Sequence, residues 1–410
     1  IGGNDLGQVL IYPYYSVRAG WRTFIHVVNT SAQTIAAKVI FHDAKYSRDV
    51  LDFVLVLSPQ DMWTGVVEER NGAPGFRPTD NTCTAPQIGS GNFTAFDPLG
   101  TVPVADDMRE GYVEIIQMGA PAAETDPIAV AAKHNPTTDT PANCGTVASA
   151  FEAGGAAITN WATYPTQALT GKFDMVNVNT ATLSTSASRA VAIQNFTGGP
   201  LMYPVGGALP NLACVGAASP GACANIPGAN AILTANSIVN EWVLNPGLGE
   251  LSSWVVTFPT KSLSLDPTAG GTPPTPAPGN PIFVNRTACI VSGLNPTGAA
   301  VPVTLNLRNR EEKALSFSPN FLDLCYETNV INFTSSAISS TGLLTSSVAK
   351  TVNTTALNSV FLGGWAQLTH LNSTAAAPVN LPAVGFNLTA RTTLNDAVLY
   401  DHAYPGRVSQ

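Results

Sequence analysis

Residues 9–31 read VLIYPYYSVRAGWRTFIHVVNTS, and this run sets the class of the fold. In its second part, WRTFIHVVNTS, Phe24, His26 and Val28 alternate with Ile25 and Val27. A period of two sends neighbouring side chains to opposite faces of a strand, and Asn29-Thr30-Ser31 supplies the turn that ends it. The first part, VLIYPYY, is apolar and aromatic without alternation. Pro13 lacks the N–H that an inner strand donates, so this part reads as an edge strand or as one bent by a bulge.

Working outward, IAAKVIFHDAK (35–45), VLDFVLVLSP (50–59), MWTGVVEE (62–69) and GYVEIIQMG (111–119) follow with turn residues between them. That rhythm is the mark of an antiparallel sandwich. Residues 121–165 change character: PAAETDPIAVAAKH and ASAFEAGGAAITNW are Ala-rich at helical spacing and read as a connector with short helices. Strands resume from 166 with GKFDMVNV, ANSIVNEWVL, LSSWVVTFPTK, PVTLNLRNREE, LCYETNVINF and SVFLGGWAQLTHL. Residues 206–231 are loop-like, and the Pro/Gly/Thr-rich run 266–281 reads as a long loop between neighbouring strands. The expectation is an all-β chain of two immunoglobulin-like antiparallel β-sandwich domains with long loops. The first spans 1–120, the helical connector 121–165 and the second sandwich 166–410.

Of the 410 residues 45% are hydrophobic and only 11% charged, and the mean hydropathy is +0.14. No run approaches the roughly 18 uninterrupted apolar residues of a membrane-spanning helix. Several strands are apolar on both faces, which suits a sandwich core or an assembly interface better than a membrane barrel. The net charge is −8 with no Lys/Arg cluster, which argues against nucleic acid as a partner. The first residue is Ile1, which reads as a mature chain whose signal peptide has been cleaved. Six cysteines without a CxxC fit disulfides in an oxidising compartment. The short loop CVGAASPGAC pairs Cys214 with Cys223, a closure worth about 2–3 kcal/mol. Cys83–Cys144 and Cys289–Cys325 are the preferred pairings among the remaining alternatives.

Chemistry-bearing motifs are sparse. There is no G-x-S-x-G, no HExxH and no calcium loop, and His26, His42, His134, His370 and His402 are scattered. His26, mid-strand, reads as a packed or bonded side chain rather than a ligand. The turn FHDAKYSRD gathers Asp43, Arg48 and Asp49. A charged hairpin end with an Asp–Arg pair is favoured there over a cation site. Asn309 to Glu312 read as a second hairpin turn, and Glu68-Glu69 and Asp106-Asp107 stand alone. Trp21, Trp63, Trp242, Trp254 and Trp365 could form a sugar-stacking platform, but each lies in or beside an apolar strand, where core packing is the commoner use. Asn29, Asn92, Asn195, Asn285, Asn332, Asn353, Asn372 and Asn387 each head an N-x-S/T sequon, a glycosylation site where the host glycosylates.

LIYPYYSVR, AKYSRDVLDFVLVLSPQDMWTG, WVVTFPTK, NREE and LCYETNVINF resemble segments of a family of largely uncharacterised secreted, cell-surface proteins of Gram-negative bacteria. The resemblance implies an exported surface protein and carries no functional residues.

The functional expectation is an extracellular structural protein, not an enzyme and without a cofactor, that self-assembles into a filament or surface layer. The apolar surplus suggests burial between subunits. Residues 4–15 are the candidate donor strand, adding to a neighbour's sheet through Val9, Leu10, Ile11, Tyr12, Tyr14 and Tyr15. The alternative is a secreted carbohydrate-binding or adhesin module whose partners are cell-surface glycans. A β-sandwich hydrolase has least support, since it needs a carboxylate pair that no motif marks.

Overall fold

The computed structural model describes residues 4–94, 105–152, 158, 161–179, 184–219, 221–235, 237–245, 247–264, 301–315, 321–334, 342–353, 362–372, 379–391 and 407–408. The 266–281 loop lies outside them.

The chain opens with β1 (Val9–Ser16), β2 (Trp21–Asn29), β3 (Ile35–Asp43), β4 (Asp49–Leu57) and β5 (Met62–Arg70). Then come β6 (Ala73–Pro78), β7 (Thr84–Ala85), β8 (Gly91–Asn92) and β9 (Glu110–Gly119). Helices α1 (Pro127–Ala132) and α2 (Cys144–Glu152) flank the small hairpin of β10 (His134–Asn135) and β11 (Thr140–Pro141). After them β12 (Leu169–Asn177), β13 (Ser184–Arg189) and β14 (Val191–Ile193) return to the sheets.

Two six-stranded antiparallel sheets result, ordered β14-β1-β9-β3-β4-β7 and β13-β12-β2-β5-β6-β8. Together they are wider than the about seven to nine strands of an immunoglobulin domain. Their facing sides share one core, with Leu10, Tyr12, Val39, Phe41, Phe53 and Ile115 from the first sheet and Trp21, Ile25, Trp63, Phe76 and Phe173 from the second. On β2 burial alternates strictly, as the sequence predicts for a strand with one wet face. At Gly171 an added Cβ would lie 2.1 Å from the Tyr12 hydroxyl, so the missing side chain is what lets Tyr12 cross the core and donate to the His26 carbonyl at 2.8 Å.

The first sheet is covered on its other side too. Asp126 caps α1 by accepting from Ile128 N at 2.9 Å, with Pro127 at the first helical position. Asn143 accepts from Thr146 N at the start of α2. Ile128, Val147, Phe151 and Trp161 then pack onto Ala36, Val54, Val56 and Met118. Leu201, Leu212 and the helix α3 (Ile226–Leu233) cover Val9, Ile11 and Ile116.

Two expectations are corrected here. First, β1 is no donor strand. It pairs with both β9 and β14, and Val9, Leu10, Ile11, Tyr12, Tyr14 and Tyr15 are all fully buried. VLIYPYY lacks alternation because both of its faces meet core. The register against β9 shifts between Tyr12 and Tyr15, and Pro13 sits in that bulge, where no ladder N–H is required. Second, the first sandwich does not end at 120, nor does the second begin at 166. β12 extends the second sheet by pairing with β2 from Leu169↔Asn29 to Asn177↔Trp21, and β14 pairs with β1. The described residues between 121 and 165 thus belong to an excursion that covers the first sandwich, not to a link between two.

The second half comprises β15 (Thr234–Ala235), β16 (Ser237–Asn245), β17 (Glu250–Thr257), the short α4 (Lys261–Ser264), β18 (Val301–Asn309) and β19 (Ala314–Leu315). It continues with β20 (Phe321–Leu324), β21 (Thr328–Thr334), β22 (Ala349–Asn353), β23 (Gly363–Asn372), β24 (Val379–Pro382), β25 (Val384–Arg391) and β26 (Arg407–Val408). β16 joins two wings: residues 237–243 pair with β23, and Leu244 and Asn245 pair with β17. The outer wing holds β26, β16, β23 and β18; the inner wing holds β25, β17, β21 and β22. All these pairings are antiparallel except β21 with β22. Trp242, Trp254, Leu305, Phe333 and Leu368 fill the space between the wings. The other side of the inner wing, with Val255, Val330, Phe386 and Leu388, joins the core of the first sandwich.

Candidate functional site

Where the inner wing meets the first sandwich, charged side chains are buried together. The tight turn after β3 is built by Asp43, which is fully buried. Its Oδ1 accepts from Lys45 N (2.9 Å) and Tyr46 N (2.8 Å), and its Oδ2 from Arg48 N (3.1 Å) and Arg48 Nε (2.6 Å). Arg48 then donates to Asp107 at 2.9 Å, and Lys45 donates to the other Asp107 oxygen at 2.7 Å. The Asp–Arg pair expected from FHDAKYSRD is therefore present. Asp49 faces a different group: burial lifts its carboxyl to about 6, with Asp52 adding and His42 and Lys38 opposing.

This turn docks onto the second half. Thr328 N donates to the Ala44 carbonyl at 3.0 Å, and the Lys45 ammonium lies 5.9 Å from the centre of the Tyr326 ring. Next to Thr328 is Glu327, buried at 1% exposure, whose Oε2 has no hydrogen-bond partner among the described residues. Burial pushes its carboxyl up to about 7, Lys261 and His42 opposing and Asp43 adding. Lys261 is equally buried and donates to the Cys325 carbonyl at 2.5 Å. Burial draws its ammonium below the usual lysine range, with Glu327 opposing. His42 stacks on Tyr112 (4.7 Å) and points Nε2 at Glu114 (3.8 Å). Burial works against its charge, but Glu114, Asp49 and the Ser47 carbonyl hold its imidazole above the ordinary range.

A second clamp forms around Glu110, also fully buried. Its Oε2 accepts from the Tyr14 hydroxyl at 2.9 Å, and its Oε1 from Arg18 Nε (2.6 Å), Ser347 N (2.7 Å) and Ser347 Oγ (2.8 Å). Arg18 also grips Asp106 through Nη1 and Nη2, each at 3.0 Å. Beside this clamp Thr257 Oγ1 donates to the Pro13 carbonyl at 2.6 Å, so the bulge in β1 turns a backbone acceptor toward β17. These groups sit inward and bind backbone and one another. The bonds that cross between the two halves are those of Ser347 to Glu110, Thr257 to the Pro13 carbonyl and Thr328 N to the Ala44 carbonyl.

The other candidates distribute as follows. Cys83–Cys144 and Cys214–Cys223 are bonded as expected. Cys325 is also disulfide-bonded, while Cys289 lies outside the described residues. Asn29, Asn332 and Asn387 are buried at 0%, 1% and 3% exposure, so the folded chain has no room for a glycan at these sequons. Asn29 instead donates to the Gln33 and Ser58 carbonyls. Asn92 and Asn195 are exposed. Asn285 lies outside the described residues, as do the side chains of Asn353 and Asn372. His26 Nε2 lies 2.8 Å from Asp174 Oδ2, and His134 lies 3.9 Å from Asp61. His402 and the His370 side chain are outside the described residues. Among the described residues no group of three or more His, Cys, Asp or Glu is placed to hold a metal ion, and no helix is long and apolar enough to cross a membrane. Asn309 closes the 309–312 hairpin by accepting from Glu311 N and Lys313 N. Trp21, Trp63, Trp242 and Trp254 are buried, and Trp365 is exposed.

Motif reading misses Glu110, Lys261, Glu327 and Ser347. A signal for three of them is present, in that Glu110 and Glu327 adjoin the apolar runs GYVEIIQMG and TNVINF and Lys261 ends WVVTFPTK. No protein-family model, curated protein or solved structure matches the chain.

Proposed function

We propose that the chain is a stiff extracellular structural unit, non-enzymatic, that assembles with copies of itself into a filament or surface layer. The observation that carries this reading is the joint. Linked domains move against one another unless their interface is large and hydrophobic. Here the inner wing shares a hydrophobic core with the first sandwich, and buried hydrogen bonds from Ser347 to Glu110 and from Thr257 to the Pro13 carbonyl cross beside it. A unit that must hold the spacing of a lattice needs its parts fixed in this way. The disulfides fit an oxidising compartment, and the resemblance to secreted Gram-negative surface proteins adds the location. With β1 inside the fold, contacts between copies fall to surfaces such as the outward face of the second sheet, where Met62 is 50% exposed opposite Val28. Electron microscopy of the full chain at rising concentration tests the reading. Ordered filaments or lattices support it; monodisperse particles at every concentration contradict it.

A further inference from the structure

Trp365 stands apart from the other tryptophans. Trp21, Trp63, Trp161, Trp242 and Trp254 are 1–2% exposed, while Trp365 is 36% exposed on the outward face of β23. An outward position on a half-wet sheet normally carries a polar residue, and an indole there forgoes the burial that makes it valuable in a core.

The register surrounds this ring with hydrogen-bonding groups. Trp365 lies between Arg308 on β18 and Glu241 on β16, and the next row along places Asn306 beside Gln367. The Arg308 guanidinium lies 5.6 Å from the indole centre and is held by donating to the Glu312 carbonyl at 2.9 Å. Glu241 is exposed, and neither it nor Arg308 makes an ion pair among the described residues. Two positions before the indole, on the same face, Gly363 has no side chain; Arg310 Nη2 comes within 3.5 Å of where a Cβ would be.

We infer that this face binds a neutral sugar ring, its C–H face on Trp365 and its hydroxyls on Arg308, Glu241 and Gln367. The charges select the class. A carboxylate beside a guanidinium suits a ligand whose hydroxyls both donate and accept. An acidic glycan would meet Glu241 on a chain of net charge −8. The site is independent of self-assembly.

Tryptophan emission reports on it directly, because the other five indoles are shielded. The full chain is titrated with maltohexaose, cellohexaose, mannohexaose and chitohexaose, and with hexagalacturonate as the acidic probe. At least one neutral probe is expected to shift the emission saturably. Trp365→Ala, checked by circular dichroism, should weaken its binding about tenfold, the worth of one stacking contact. Arg308→Ala, which keeps the indole, should also weaken binding. Absence of binding by all neutral probes, preference for the acidic one, or affinity unchanged in Trp365→Ala would overturn the assignment. So would sedimentation showing that the Trp365 face is instead covered by a second copy.

Discussion

Glu327 is the residue on which the joint's pH response turns. Its carboxyl has an ordinary value of 4.5 and is raised to about 7 in the fold. Below the ordinary value both folded and unfolded chains carry the proton, and folding is not penalised. Between the two values the unfolded chain ionises while the folded one stays protonated, so stability falls as pH rises and levels off above about 7. Asp49, raised to about 6, and His42, also raised, act in the same direction. Glu68 and Asp106 act oppositely: Arg77 draws the first below its usual range and Arg18 the second, so their contribution is lost on acidification. Chemical denaturation across pH should therefore show greatest stability on the mildly acidic side of neutrality. Glu327→Gln should flatten the decline between about pH 4.5 and 7. Arg48 gives a second test at this scale. Arg48→Ala would leave Asp43 buried with a charge and no counterion, and a loss of about 3–5 kcal/mol is expected in urea unfolding. A loss below about 1 kcal/mol would mean that the Asp43 pair is not desolvated as described.

At the scale of elements, β1 gives the sharpest contrast with a strand-exchange account. Deleting residues 1–15 should remove the strand between β9 and β14 and expose both cores, giving an aggregated or unfolded product by circular dichroism. A folded monomer would show that the first sheet closes without it. The Cys83–Cys144 bond ties α2 to the segment beside β4 across a sequence separation of 61. Replacing both cysteines by Ser should cost about 4 kcal/mol by loop-closure entropy, read as a lowered Tm. Most strands were legible in the sequence because alternation and turn residues are local signals, as in WRTFIHVVNTS. What β1 pairs with was not legible: VLIYPYY announces burial on both faces, but the pattern is the same whether the covering surface belongs to this chain or another. The return of β12 and β14 to the first sandwich was hidden for a similar reason, since a strand's partner across more than a hundred residues leaves no local mark. α3 escaped notice because IPGANAIL has Pro and Gly in its first turn, although Asn225 caps it by accepting from Gly228 N.

For the whole molecule, the apolar surplus read from composition finds its place inside the chain. β17 is apolar on both faces because Val255 meets the core of the first sandwich and Trp254 and Val256 the core between the wings, and β1 because Leu201, Leu212 and α3 cover the side that faces away from the sandwich core. Of the candidate site, the Asp43–Arg48 turn was visible in FHDAKYSRD. The clamp of Glu110 on Ser347 was not, since 237 residues separate the two and neither belongs to a motif. The two halves are expected to unfold as one body, and calorimetric unfolding of the full, oxidised chain tests that most directly. A single transition whose calorimetric and van 't Hoff enthalpies agree, shifted as a whole by Glu110→Gln, is the predicted result. Two resolved transitions, only one of them moved by that substitution, would contradict it.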